Sequence, residues 1–160
     1  MTVLPPPKRI RDLFADLLGR EVDISPCLEP VVPTLLRPCA IGVYVTDDIK
    51  TGAVVCADLE LAARAGAALS LVPKAGADAA IEGRYIPQNL LDNFAEVINV
   101  FAGLFNVPNA PHLKLYSVVA PDETPPADLV PLVRRVTRRV DLRLAIDGYG
   151  LGHLAVVLPN

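Results

Sequence analysis

The chain has 160 residues, 52% of them hydrophobic and 21% charged, with a formal net charge of −3. That length buries a core without disulfide or metal staples, no apolar run approaches the roughly 20 residues of a membrane-crossing helix, and the acidic balance argues against a nucleic-acid binder. The opening residues lack a basic patch followed by an apolar stretch, so the expectation is a cytoplasmic protein with no membrane attachment.

Pro5, Pro6 and Pro7 stiffen the leader, and Ile10, Leu13, Phe14, Leu17 and Leu18 recur at helical spacing, which predicts a helix over 10–18 ended by Gly19. Residues 25–38 hold four prolines and cannot continue a helix, so extended or irregular chain is expected there. Ile41, Val43 and Val45 share one face, 47–52 carries turn chemistry, and 53–56 is apolar again, which makes a hairpin. Asp58 is placed to cap a helix over 59–71 that stops before Pro73. Small, polar and glycine-containing, 74–83 reads as a surface connection. A long helix is predicted from about 87 to 106, stopped by Pro108, and 113–120 is a strand. Residues 124–139 fit no element cleanly. Val140, Leu142, Leu144 and Ile146 then alternate with Asp141, Arg143 and Ala145 up to a turn at 147–150, and 151–158 returns as the hairpin mate.

The two halves read as degenerate copies. Asp12-Leu-Phe-Ala-Asp16-Leu-Leu-Gly19 aligns with Asp92-Asn-Phe-Ala-Glu96-Val-Ile-Asn99, and the hairpin 44–55 matches 144–157. Glycine stands in the first copy where the second has asparagine, so a site built on that helix exists once. The expected architecture is an α+β domain over 1–160, with pseudo-repeats roughly 8–72 and 87–159. Two α-β-β units share an antiparallel sheet with helices packed on it.

At roughly 100° per residue, Asp92, Glu96, Asn99 and Gly103 fall within about 60° of one another on the long helix, and Gln88 and Asn106 widen the stripe to about 80°. Leu90, Leu91, Phe94, Val97, Ile98, Phe101, Leu104 and Phe105 occupy the other side, which turns the stripe toward solvent or a partner.

This spacing, in a pseudo-repeated chain of this length, resembles the CheC/CheX family of chemotaxis phosphatases, and the CheX branch most closely. Asp92 stands where the family's active helix begins with Asp or Ser, Glu96 and Asn99 match its Glu and Asn, and Pro121 is the counterpart of a proline on a later strand. The resemblance implies hydrolysis of the aspartyl phosphate of a CheY-type response regulator. Asn99 would orient the attacking water, Glu96 would pair with a lysine on the receiver, and Asp92 and Gly103 would frame the contact. It implies no cofactor or metal of the chain's own, with Mg2+ carried by the partner receiver. A homodimer is expected as well. The rival from another class is a non-catalytic CheX-like adaptor that binds a receiver or signalling complex.

The remaining chemistry-bearing residues take plainer readings. Arg134, Arg135, Arg138 and Arg139 form the one basic cluster, a solvated edge in preference to a phosphate patch. A sheet edge near 140–146 would serve as a dimer contact. His112 and His153 have no acidic or cysteine neighbours at ligand spacing and read as non-catalytic. Gly148, Gly150 and Gly152 lie between two strands and open no helix, which excludes a phosphate loop. Cys27, Cys39 and Cys56 match no zinc spacing or CxxC pair and read as small buried hydrophobes.

Overall fold

The structure is a computed structural model, and it describes residues 1–159. It is an α+β fold: one six-stranded antiparallel sheet in the order β1-β5-β6-β3-β2-β4, with helices packed on it. The strands are β1 (Val22–Pro26), β2 (Cys39–Val45), β3 (Thr51–Asp58), β4 (Lys114–Val119), β5 (Arg139–Ile146) and β6 (Gly150–Val157). The helices are α1 (Pro7–Leu18), α2 (Leu59–Leu69), α3 (Lys74–Glu82), α4 (Gln88–Phe101) and α5 (Leu129–Val133). The strand order is symmetric about the β3/β6 pairing, which relates α1-β1-β2-β3 to α4-β4-β5-β6. Each half thus carries an edge strand, β1 or β4, in addition to its hairpin.

Local chemistry accounts for the element ends. Pro7 opens α1, where its missing N–H and fixed φ cost nothing. Gly19 closes it in the left-handed region at φ 65°, its N–H donating to the Ala15 carbonyl at 2.9 Å. Asp58 caps α2 as predicted, accepting from the Leu61 N–H at 2.9 Å. The predicted surface connection at 74–83 is instead helix α3. Alanines at 75, 77, 79 and 80 favour helix more than Gly76 opposes it, and Ala77 and Ala80 are buried.

Both faces of the central strands are covered. On the helix side, Ala40, Tyr44, Val55, Leu144 and Val156 meet the apolar stripes of α1, α2 and α4. Tyr44, Phe101 and Phe105 stack with ring centroids 5.1 to 6.4 Å apart. Burial pushes the Tyr44 phenol's pKa well up, so it stays neutral and donates to the Ile98 carbonyl. On the second face, Ile41, Val43, Cys56 and Val157 are covered by Val31 and by Leu129 and Val133 of α5.

One ion pair ties that cover down. Arg139 donates to Asp141 at 2.8 Å, to the Val133 carbonyl at 2.9 Å and to the Val31 carbonyl at 3.2 Å, while Asp141 accepts from the Val31 N–H at 2.8 Å. Arg139 is therefore no solvated edge residue: its side chain is 6% exposed. The expected sheet edge at 140–146 is also corrected. β5 is hydrogen-bonded on one side to β1 and on the other to β6, so it offers no free edge.

Candidate functional site

α4 is anchored on three sides. Leu90, Phe94, Val97, Ile98 and Phe101 are buried, each such side chain stabilising the packing by about 1.5–3 kcal/mol. Asn93 donates from Nδ2 to the Gly66 carbonyl at 2.9 Å and to Ser70 Oγ at 2.6 Å, which binds α4 to α2. The two helices approach closely enough that a Cβ on Gly66 would lie 2.3 Å from the Leu90 carbonyl oxygen, so only glycine fits. At the other end, Asn106 donates to the Leu113 carbonyl at 3.1 Å and accepts from the Leu113 N–H at 2.8 Å. Its amide closes the turn from the helix into β4, so Asn106 belongs to the framework and not to the polar stripe.

Four predicted site residues lie on the outward surface of this platform. Asp92, Glu96, Asn99 and Gly103 are all exposed. Asp92 is held by Gln88, whose Nε2 donates to Oδ1 at 2.7 Å. The side chains of Glu96 and Asn99 make no hydrogen bond to another described residue. The predicted long helix is interrupted, however. After Phe101 it tightens into a 3₁₀ turn over Ala102–Leu104, which carries Gly103. That turn lets Leu104 and Phe105, 7% and 0% exposed, enter the core together. Nothing lies within 4 Å of where a Gly103 Cβ would sit. The fold itself therefore has no steric need for glycine there.

The pseudo-equivalent surface of α1 differs in a way that follows from its length. Arg11 and Lys8 beside Asp12 hold its carboxyl below the usual carboxylate range, with contacts of 3.0 and 3.2 Å. Asp16, opposite number of Glu96, is exposed. The counterpart of Asn99 is Gly19, which has already left the helix as its C-cap.

The other predicted residues lie elsewhere. Pro121 begins the turn just past β4 and lines a cleft with Pro38, Cys39 and Val133. Cys39 and Val133 belong to the second-face cluster, so the structure does not bring Pro121 to the α4 stripe. Cys39 and Cys56 are buried, and burial raises both thiols, Cys56 to about 12; Cys27 is partly exposed. Gly148 lies in the turn from β5 to β6 and Gly150 and Gly152 lie in β6, and none of them opens a helix. His112 lies 3.8 Å from Asp47 on the surface.

His153 has a partner that its neighbours in sequence do not announce. Its Nδ1 lies 2.8 Å from Asp58 Oδ2 and its backbone N–H donates to Asp58 Oδ1 at 3.0 Å. Asp58 is 2% exposed and joins α2, β3 and β6. Only the pairing of the two central strands, 95 residues apart in sequence, brings them together. Among the described residues, no group of three or more His, Cys, Asp or Glu side chains is placed to hold a metal ion, and no helix is long and apolar enough to cross a membrane.

Neither a protein-family model nor a curated protein sequence matches the chain. Solved structures do. The FliM middle domain from H. pylori superposes with a TM-score of 0.62 at 11% identity, covering 95% of this chain and 84% of that one. CheX from Borrelia burgdorferi, in a CheX–CheY–BeF3–Mg2+ complex, gives 0.56 at 11% identity over 93% and 92%. A CheC-like superfamily protein from Shewanella gives 0.53 at 11% over 96% and 94%. The symmetric six-stranded sheet, with α1 and α4 laid on one face of it, is the fold shared by CheX, CheC-like proteins and the FliM middle domain.

Proposed function

We propose that the protein accelerates hydrolysis of the aspartyl phosphate of a CheY-type receiver domain, with Asn99 orienting the attacking water and Glu96 docking the receiver. The observation that carries this reading is the Glu96–Asn99 pair: two exposed side chains that make no hydrogen bond to another described residue, on a helix otherwise anchored in the core. The shared fold supports a receiver as the partner, since the B. burgdorferi CheX of that fold is bound to CheY.

The residue types suit the chemistry. An acyl phosphate is already activated, so the chain need supply no nucleophile of its own. The water oxygen bonds to phosphorus as the bond from phosphorus to the aspartyl oxygen breaks. Inorganic phosphate leaves, and the receiver regains a free carboxylate. A carboxamide accepts a hydrogen bond from the water through its oxygen and donates through its nitrogen, without adding charge beside an anionic centre. A carboxylate at position 99 would add that charge. Glu96, one helical turn earlier on the same surface, would pair with a lysine of the receiver. Receiver-bound Mg2+ stabilises the charge of the transferring phosphoryl group.

A positioning group of this kind contributes on the order of 3 kcal/mol, or about a hundredfold in rate. The test charges receiver domains of the same organism with acetyl phosphate and follows phosphate release. Wild type is expected to accelerate release, and Asn99→Ala to lose about a hundredfold of that acceleration. Equal rates for the two proteins would remove Asn99 from the mechanism. Tight binding to a receiver with no acceleration by wild type would make the protein an adaptor.

A further inference from the structure

A groove of about 350 Å3 runs between α1 and α4, immediately beside the Glu96 stripe. Leu13, Leu17 and the buried Leu104 line it, with Val100 and Asp16 more exposed above them. Val100 follows Glu96 by four residues and precedes Gly103 by three, so on the helical surface it adjoins both. Groove and stripe are therefore one continuous surface. Val100 is 48% exposed, an apolar side chain left open on a helix whose other large apolar residues are buried or half-buried. Asp12 is paired with Lys8 and Arg11. Asp16 makes no ion pair with another described residue. Arg9 lines the same groove seven residues from Asp16, about 10 Å along the helix axis. Asp16 thus leaves the groove next to Val100 acidic.

The geometry points to this groove as a second contact for the receiver that Glu96 and Asn99 engage. It accepts a receiver segment that presents an apolar side chain to Val100, Leu13 and Leu17 and a basic group to Asp16. The inference rests on the proposed function only in taking a receiver as the partner. Continuity of the groove with the Glu96–Asn99 stripe is the ground for that choice, and charge complementarity sets the chemistry of the docking segment: Glu96 and Asp16 flank an apolar strip, and both call for cations on the opposing surface. In this arrangement the stripe governs the chemical step, while the groove governs which receiver is held, and how tightly. Val100 and Asp16 are specificity-determining residues, touching the partner but not the reacting atoms.

The experiment uses the full chain and receiver domains of the same organism, activated with BeF3 and Mg2+ for binding and with acetyl phosphate for turnover. Val100→Glu and Asp16→Lys change exposed side chains and are expected to keep the wild-type circular dichroism spectrum and melting temperature. Each should raise Kd and KM by about tenfold, the scale of a well-placed interface side chain, with kcat at saturating receiver within about twofold of wild type. Asp122→Lys, on the far side of the sheet, makes the same charge change as Asp16→Lys and is expected to leave Kd unaltered. Wild-type Kd for both groove variants would overturn the proposal, and so would an equal loss in Asp122→Lys. Binding by wild type without hydrolysis would defeat the phosphatase reading alone, and the groove would still be decided by Kd. A wild type that binds no receiver would overturn the groove outright.

Discussion

Replacing Gly103 by alanine separates what the fold needs from what a partner needs. A Cβ at this position meets nothing within 4 Å, and the residue lies in the 3₁₀ turn that continues α4. Alanine there loses less backbone entropy on folding than glycine, so Gly103→Ala is expected to stabilise the protein by about 0.5–1 kcal/mol. For a chain of this size that raises the melting temperature by about 2–4 °C at the upper figure. The same methyl group stands on the exposed surface next to Asn99 and Val100, where a receiver would close over the site. A displacement of the reacting groups by about 1 Å can cost a hundredfold in rate, so acceleration of receiver dephosphorylation is expected to fall between about tenfold and a hundredfold. Thermal melts and phosphate release on one preparation measure both quantities. Gly103→Val extends the series, with a larger loss of rate expected. Full activity in a stabilised Gly103→Ala would refute the clearance role. A destabilised variant would refute the open space around the residue.

Three further outcomes follow from the framework. Asp58→Ala removes the acceptor for the Leu61 and His153 N–H groups and the partner of His153 Nδ1; urea unfolding should show a loss of about 2–4 kcal/mol. Gly66→Ala forces a methyl against the Leu90 carbonyl. It should cost about 1–3 kcal/mol and lower the proposed phosphatase activity in still-folded protein, because α4 must shift. Native protein treated with iodoacetamide near pH 8 should be labelled at Cys27 and not at Cys39 or Cys56. Those two are buried with thiols pushed up, Cys56 to about 12, and remain protonated at that pH; stoichiometric labelling at either would contradict their placement.

Most of the hairpins, α1 and the cap of α2 were legible because they depend on local chemistry: alternation of Ile41, Val43 and Val45, helical spacing of Ile10, Leu13, Phe14, Leu17 and Leu18, an aspartate before a helix. The polar stripe was legible for the same reason, since helical spacing alone places Asp92, Glu96 and Asn99 on one surface. What sequence reasoning missed depends on contacts distant in the chain. Helix α3 was misread because Gly76 and Gly83 look like breakers, whereas burial of Ala77 and Ala80 favours the helix. β5 became an interior strand through β1, a short segment ending at Pro26 that carries little apolar alternation. Asn106 has the periodicity of a site residue, yet it pairs with Leu113 across a loop. No local pattern distinguishes it from Asn99. Asp58 and His153 likewise carry no signal until β3 and β6 are paired.

The left-handed cap at Gly19 has a consequence for any attempt to duplicate the Asn99 surface in the first half. Writing asparagine at position 19 would be tolerated by the backbone, since asparagine adopts positive φ more readily than most residues. Its amide would nevertheless hang from the corner where the chain turns toward β1, not from the helix flank beside Asp16. A second copy of that surface would require an insertion of about one helical turn before Val22, enough to carry α1 past its present stop. The asymmetry between the halves is thus one of length before it is one of residue identity, and point substitution alone would not erase it.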